Sequence, residues 1–243
     1  MTAMTAPPLQ RLTAVELRKM IDTRAGFWLL VLVALSAIAV VVLVVAVGEE
    51  PDGTFANLFQ GCAEAISIFL PIVVMLAVTS EWSQRTALTT FTLVPQRERV
   101  VAAKVLAGCV LTLVALAICL LAAAIGNLIT GGSWSISLAE LGGGAAYSLL
   151  GMLGALALGL LLMHSALAIV TYFVAPTIVG IAVEVVRSLR EPSEWFDTTK
   201  SFAPLANGTM DGGDWARLAV SCAIWIGVPL VLGLLRLRRH ELK

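Results

Sequence analysis

The sequence predicts an all-α membrane protein with six transmembrane helices, an N-terminal amphipathic helix and both termini in the cytoplasm. Of its 243 residues, 59% are hydrophobic and 13% are charged, about half the charged fraction of a soluble domain. The mean hydropathy is +0.94. A chain this apolar would expose more hydrophobic surface than water tolerates, whereas lipid accommodates such a surface. The 16 Lys and Arg residues also alternate with the uncharged runs, as the positive-inside rule requires of cytoplasmic segments.

Twelve of these basic residues lie in three segments that the prediction places in the cytoplasm. The segments precede the first uncharged run, separate the second run from the third, and follow the last. Their basic residues are Arg11, Arg18, Lys19 and Arg24; Arg85, Arg97, Arg99 and Lys104; and Arg236, Arg238, Arg239 and Lys243. The net charge of the chain is zero, so the charge pattern indicates a membrane orientation and no nucleic-acid partner is expected.

The first three spans follow from the length that a helix needs, about 20 residues, to cross the hydrocarbon core. Residues 25–48 are uncharged and end at an acidic turn that begins with Glu49. Residues 59–80 contain a single acid, Glu64, near the expected outer end. Residues 104–126 form the third span and precede a turn rich in Gly and Ser.

The next uncharged run, Leu141–Val183, contains 43 residues without Asp, Glu, Lys or Arg. This length is too great for one helix and suits two. The polar pair His164-Ser165 near its middle predicts a tight cytoplasmic turn. The last three predicted spans are 139–163, 166–186 and 217–235, and 236–243 form a basic cytoplasmic tail.

Residues 1–24 are predicted to form a tail and an amphipathic helix. At 100° per residue, one side of this helix carries Leu9, Leu12, Leu17, Met20 and Ile21, and the other carries Arg11, Arg18 and Asp22. Such a helix lies in the plane of the lipid headgroups.

Two segments between spans are long enough to carry function. The cytoplasmic loop 81–103 mixes acidic and basic residues. This composition suits docking onto a polar protein surface, and it equally suits a solvated loop whose basic residues only set the topology. The outer loop 187–216 carries aromatic residues that are expected to lie at the membrane interface: Trp195, Phe196, Phe202 and Trp215.

Three prolines fall inside predicted spans: Pro71, Pro176 and Pro229. Proline lacks the N–H that would bond the carbonyl one turn earlier. Each of these positions is therefore expected to kink its helix.

Gly151, Ala155 and Gly159 recur every four residues on the fourth span. Small residues at this spacing allow another helix to approach closely. That helix belongs either to the same chain or to a second copy, and the spacing favours neither.

The sequence contains no recognisable enzymatic motif. The patterns GxxxxGK[ST], HExxH and GxSxG are absent, which argues against a P-loop ATPase, a zincin and a nucleophile-elbow hydrolase. Two histidines are too few for a His-based metal site, so we expect no catalytic residue, metal or cofactor in this chain. Glu64 and Glu184 are predicted to lie toward the outer ends of their spans, where a carboxylate reaches headgroup water. Proton carriers are expected nearer the midplane, so this position argues against that role for either acid.

Two stretches carry a pattern that is more specific than composition. The first is Ala14-Val15-Glu16-Leu17-Arg18-Lys19, followed by Asp22-Thr23-Arg24 and Phe27-Trp28. The second is Thr79-Ser80-Glu81-Trp82-Ser83-Gln84-Arg85-Thr86, followed by Pro95, Arg97, Arg99 and Lys104. Together with the topology they resemble the type-2 family of ATP-binding-cassette permeases, whose patterns are E-L-x-K … T-R-x-x-W and S-E-x-x-x-x-T … P-x-R … A-x-K. Arg18 departs from the family, which often has an apolar residue there.

The resemblance implies a permease subunit that pairs with a separate ATPase chain, where ATP and Mg²⁺ bind, and with a second copy or a paralogue of itself. The family uses its N-terminal helix and first cytoplasmic loop to couple ATPase closure to helix movement, which favours docking for the loop 81–103. The residues nominated for this interface are Glu16, Lys19, Glu81, Arg85, Thr86, Arg97, Arg99 and Lys104, with His164 as a minor contact. The alternative for His164 is a turn that only sets the topology.

Spans two and five line the substrate pathway in this family, which nominates Phe69, Met75, Tyr172, Phe173 and Thr177. The alternative for each of them is a lipid-facing or packing side chain. An apolar, nearly uncharged pathway favours a hydrophobic or amphipathic cargo, such as a drug, an antibiotic or a lipid. The resemblance implies export by alternating access across a cytoplasmic membrane, and the composition, rich in Ala, Val and Gly, is typical of bacterial proteins.

Two other functions are compatible with the same fold. One is a membrane scaffold or immunity protein without transport activity, which the sequence leaves open. The other is a stand-alone secondary carrier. It would require ionisable groups at the membrane midplane or an inverted internal repeat, and the sequence shows neither.

Overall fold

The computed structural model describes residues 8–47, 54–83 and 97–239, and this part of the chain is helical without any strand. The helices are α1 Leu9–Asp22, α2 Arg24–Val47, α3 Phe55–Ser83, α4 Arg97–Thr130, α5 Leu138–Leu162, α6 Ser165–Val185, α7 Thr198–Ala206, α8 Gly212–Cys222 and α9 Val228–Arg239. A π-helical turn, Ala223–Gly227, joins α8 to α9, and two 3₁₀ turns, Arg187–Leu189 and Pro192–Trp195, precede α7.

Within the described residues, six helical stretches are long and apolar enough to cross a membrane. They are α2, α3, α4, α5, α6 and the continuous helix formed by α8, the π turn and α9. The prediction of a multi-pass, all-α membrane protein is therefore confirmed.

The helices on either side of the first cytoplasmic loop are longer than the spans that hydropathy predicts. Helix α3 begins at Phe55 and not at residue 59, and α4 begins at Arg97 and not at residue 104. Polar residues next to an apolar stretch still form helical hydrogen bonds where no proline interrupts them, and Pro95 lies just before α4. Residues 81–83 and 97–103 of the predicted loop are therefore helical, and residues 84–96 lie outside the described residues.

The predicted outer loop 187–216 is largely helical as well. Asp197 caps α7 by accepting the Thr199 N–H at 3.0 Å. Asp211 caps α8 by accepting the Asp214 N–H at 2.9 Å. An acidic N-cap satisfies N–H groups that have no partner within their helix, so both short helices have a defined start.

Helices α3 and α5 form the centre of the bundle. Half of the apolar stretch of each (50%) is buried, against 17% for α2 and 11% for α6. Helix α3 contacts α2, α4, α5 and α6, and it buries large side chains on several sides, including Leu58, Phe59 and Ile66. Any movement of α3 must therefore repack most of the bundle.

The turn between α5 and α6 is tight, as the sequence predicts, and involves only Met163 and His164. Met163 adopts the left-handed conformation with φ 53° and donates its N–H to the Gly159 carbonyl at 3.0 Å. His164 caps α6, with Nδ1 accepting the Leu167 N–H at 3.3 Å. Ser165 is thus the first residue of α6 and not part of the turn.

The stripe of small residues on α5 packs within the chain. A Cβ atom on Gly151 would lie 3.2 Å from the Tyr172 hydroxyl of α6, and one on Gly159 would lie 3.2 Å from Val78 of α3. Ala155 between them is fully buried. The helices that approach this stripe in the structure therefore belong to the same chain, which is one of the two alternatives given above.

Helix α1 packs most of its predicted apolar side against the bundle. Met20 is buried, and Leu12 and Leu17 pack against the core, but Ile21 is exposed. Glu16 is buried on the same side as Met20. The centre of the buried face is therefore occupied by a carboxylate, which needs a partner.

Two of the three predicted kink sites lie inside continuous helices: α3 runs through Pro71, and α6 runs through Pro176. Pro229 is the second residue of α9 and follows the π turn directly. A proline at this position leaves the Trp225 carbonyl without its usual α-helical partner. The residues just before Pro229 form a π turn, in which the Val228 N–H donates to the Ala223 carbonyl.

Adjacent glycines on α5 provide a matched test of how α7 is held. A Cβ atom on Gly143 would lie 1.9 Å from the Leu205 carbonyl oxygen of α7, whereas one on Gly142 would meet nothing within 4 Å. Gly143→Ala should displace α7 and destabilise the protein by about 1–3 kcal/mol. Gly142→Ala should be neutral or stabilise by up to about 1 kcal/mol through helix propensity.

Thermal unfolding of both purified variants in the same detergent measures this difference. Equal transition temperatures for the two variants would show that α7 does not pack on α5 as described.

Candidate functional site: a charge cluster and a cavity

Four charged side chains meet where α1, α3 and α4 converge: Glu16, Lys19, Glu81 and Lys104, called here the charge cluster. Lys104 Nζ lies 2.6 Å from Glu16 Oε2 and 3.1 Å from Glu81 Oε1. Lys19 Nζ lies 2.7 Å from Glu16 Oε1 and 2.8 Å from Glu81 Oε1. Each lysine thus contacts both carboxylates, and opposite charges alternate around the cluster.

Three members of the cluster are buried: Glu16 is 4% exposed, Glu81 5% and Lys104 3%. Lys104 also donates to the Ala77 carbonyl of α3 at 3.3 Å. Buried charges are stable only when they are paired and hydrogen-bonded, and the two acids and two bases satisfy this condition with no net charge. The cluster therefore joins α1 to the end of α3 and the start of α4.

Lys19 is the member that still reaches solvent, with 39% of its side chain exposed. Its burial opposes the charged form, but the hydrogen bonds from its ammonium group to Glu16 and Glu81 outweigh that effect and raise the pKa of Lys19 above its ordinary value. Lys19 consequently remains charged throughout the physiological pH range.

The structure brings four of the nine predicted docking residues into this cluster, where they contact one another. Glu16, Glu81 and Lys104 are buried, so in this conformation their side chains present almost no surface for direct contact with another protein. His164 is exposed in the turn between α5 and α6. Arg85 and Thr86 lie outside the described residues, and only the backbone of Arg97 is described.

Further contacts tie the last helix to the same end of the bundle. Arg238 of α9 pairs with Glu98 in the first turn of α4, and Arg236 donates to the Leu161 carbonyl at the end of α5. Arg99 also lies in the first turn of α4. This end, called here the α1 end, carries α1 together with the end of α9.

A cavity of about 600 Å³ lies between α3, α5, α6, α7 and the π turn. Its lining residues on the long helices include Pro71, Gly151, Pro176 and Trp225, which are near the middle of their respective helices. Helix α7 lines the cavity on the side away from the α1 end. The cavity volume is typical of small-molecule sites.

Two of the five predicted pathway residues, Tyr172 and Phe173, line this cavity. Phe69 instead packs against the core cluster on the side of α2 and α4. Met75 is fully buried beside Ala155 and Ala168. The exposed Thr177 donates its hydroxyl to the Phe173 carbonyl at 2.8 Å. Two of the five residues therefore line the cavity, and membership of α3 or α6 does not by itself place a residue there.

Other residues that line the cavity are not selected by the sequence reasoning, above all Glu64, Tyr147 and Trp225. Because α3 begins at Phe55, Glu64 lies deeper in its helix than predicted. The signal that could have identified this region is the tyrosine content: the chain has only two tyrosines, and both line the cavity.

Comparison with known proteins identifies no family for this chain. No model of a known protein family matches it, and neither does any curated protein. The likeness of its two motifs to type-2 permeases therefore stays a prediction from the residues.

Replacing Lys104 tests whether the charge cluster holds α1 in place. Lys104→Met leaves the two buried carboxylates with Lys19 as their one partner in the cluster, so one buried negative charge is uncompensated and the protein should be destabilised by about 3–5 kcal/mol. Arg18→Met, which removes only the exposed Arg18–Asp22 pair, should cost less than about 1 kcal/mol. Thermal unfolding in detergent reports both changes.

Adding Glu16→Gln to Lys104→Met removes one of the two repelling charges and should recover part of the lost stability. A Lys104→Met protein that unfolds at the same temperature as Arg18→Met would contradict the description of the cluster.

Proposed function

We propose that this chain is the membrane-spanning permease subunit of an ATP-driven exporter in a cytoplasmic membrane, moved by a separate ATPase subunit. The observation that carries the proposal is the charge cluster. It fastens the N-terminal helix to the two helices that flank residues 84–96, the segment expected to receive the ATPase.

The charge cluster indicates which helices would move when the ATPase pushes on the chain. The α1 end holds most of the basic residues of the chain, which supports a cytoplasmic location for it. A partner that pushes on residues 84–96 acts directly on the end of α3 and the start of α4. Because the cluster links both helices to α1, the three elements would move as one unit.

Helix α3 provides a route from the cluster to the cavity. Glu81 belongs to the cluster and Pro71 lines the cavity, and the ten positions between them span about 15 Å of helix. The same helix contacts four of the other long helices. A tilt of α3 would therefore change the shape of the cavity, as alternating access requires.

Nucleotide drives such a change only if the ATPase binds one arrangement of the helices more tightly than the other. A second copy of the chain, or a paralogue, would complete the twelve-helix transporter. The mostly apolar lining of the cavity supports a hydrophobic or amphipathic cargo.

Glu64 favours a second candidate function, a secondary carrier driven by an ion gradient. It lines the cavity inside a helix that is apolar enough to span the membrane, and ionisable groups in such places serve as proton carriers in transporters.

Transport by proteoliposomes distinguishes the two candidates. Vesicles that contain the chain and its co-purifying ATPase should accumulate a lipophilic dye when ATP is added outside. Replacing the catalytic glutamate of the ATPase should abolish this accumulation. Accumulation by the chain alone under a proton gradient would establish the carrier instead, and no accumulation under either condition would favour a scaffold.

Lys19→Met provides a sharper test of coupling, because it removes two of the four ion pairs of the cluster and leaves Lys104 paired. This variant should fold, keep the ATPase bound and transport less dye per ATP hydrolysed. Arg18→Met, its neighbour on the exposed side of α1, is the matched control and should behave as the unmodified chain.

A further inference from the structure

The wall of the cavity carries one formal charge. Among its lining residues in the described part of the chain, Glu64 is the only Asp or Glu, and there is no Lys, Arg or His. Glu64 forms no ion pair with any described residue, and its backbone carbonyl accepts the Ser67 hydroxyl at 2.6 Å. Glu64 is an exposed residue, and most of the residues that line the cavity with it are apolar.

Aromatic side chains form much of the remaining wall: Tyr147, Tyr172, Phe173, Phe202 and Trp225. Tyr172 and Phe173 stack edge to face with centroids 5.0 Å apart, and Tyr147 and Phe202 do the same at 6.3 Å. Tyr147 is on α5, Tyr172 and Phe173 are on α6 and Phe202 is on α7, so three helices contribute these rings to the wall.

The polar atoms of two of these rings already have partners. The Tyr172 hydroxyl donates to the Gly151 carbonyl at 3.2 Å, and Trp225 Nε1 donates to the Phe196 carbonyl at 2.7 Å. What Tyr172 and Trp225 offer to a ligand is therefore mainly ring surface, which attracts apolar groups and cations.

We propose that this cavity binds a lipophilic organic cation of drug size, with Glu64 as the counter-charge and the aromatic wall around the apolar body of the ligand. A carboxylate in apolar surroundings is costly unless it is paired, so a cation gains an interaction that a neutral ligand lacks. An anion is repelled by Glu64 and meets no Lys, Arg or His among the described lining residues. The proposal rests on the proposed function, because it names the cargo class of that exporter.

A pair of ions with nearly the same shape and opposite charge tests this assignment. Tetraphenylphosphonium and tetraphenylborate both present four phenyl rings, so they differ chiefly in the sign of their charge. Equilibrium dialysis of the purified chain in detergent, against the same detergent without protein, should show saturable binding of the phosphonium ion and much weaker binding of the borate ion.

Variants then locate the site. Glu64→Gln keeps the shape of the side chain, and it should weaken phosphonium binding by about tenfold or more. Glu64→Asp should retain part of the affinity. Glu184→Gln is the matched control, because Glu184 is an exposed acid in α6 that does not line the cavity, and it should leave binding unchanged.

Phe173→Leu should weaken binding of the phosphonium ion more than binding of the borate ion, because it removes a ring while preserving apolar volume. The proposal is overturned if Glu64→Gln and Glu184→Gln bind the phosphonium ion equally, or if the unmodified chain prefers the borate ion.

Binding in this experiment requires neither ATP nor a second subunit. A negative result therefore removes the cation site and leaves ATP-driven transport to be judged by the proteoliposome experiment. A failure of ATP-driven transport, in turn, leaves a positive binding result intact.

Discussion

Two carboxylates and two ammonium groups neutralise one another where α1, α3 and α4 meet, and the position of α1 depends on this balance. Apolar contacts of Leu12, Leu17 and Met20 bring α1 against the bundle, but such contacts are non-directional. The ion pairs to Lys104 select one register, because a shift of α1 by a single residue would carry Glu16 away from its partner and leave charge buried without compensation.

The two ends of the bundle are built on different principles. At the α1 end, charged side chains link helices that are far apart in sequence, as Lys104 and Glu16 do across 88 positions. At the other end, α7 sits on α5 through direct backbone contact at Gly143, and Trp225 holds the preceding 3₁₀ turn through the Phe196 carbonyl. The cavity therefore lies between the charge cluster at one end of the bundle and a closely packed short helix, α7, at the other.

The number of spans and the fold class follow from the sequence because helix length and charge alternation are local properties. Only part of the charge cluster could be predicted from the sequence. At 100° per residue Glu16 falls between Leu12 and Met20, which marks a buried acid, but Lys104 is identified as its partner only by the folded chain. The cavity was less accessible to prediction, since α5 and α6 are apolar on every side and nothing in their periodicity separates a cavity-facing residue from one that faces lipid. Among the residues named from the sequence, Pro71, Tyr172, Phe173 and Pro176 do line it.

The π turn has a consequence for the last helix that a helical wheel does not show. A π turn holds one residue more than an α-helical turn, and each residue advances the helix by about 100°. The residues of α8 are therefore out of phase with those of α9 by about that angle. A helical wheel drawn without a break through Gly212–Arg238 therefore places the residues of either α8 or α9 on the wrong face of the helix. Sites chosen from such a wheel for a probe of lipid contact would include residues that face the protein.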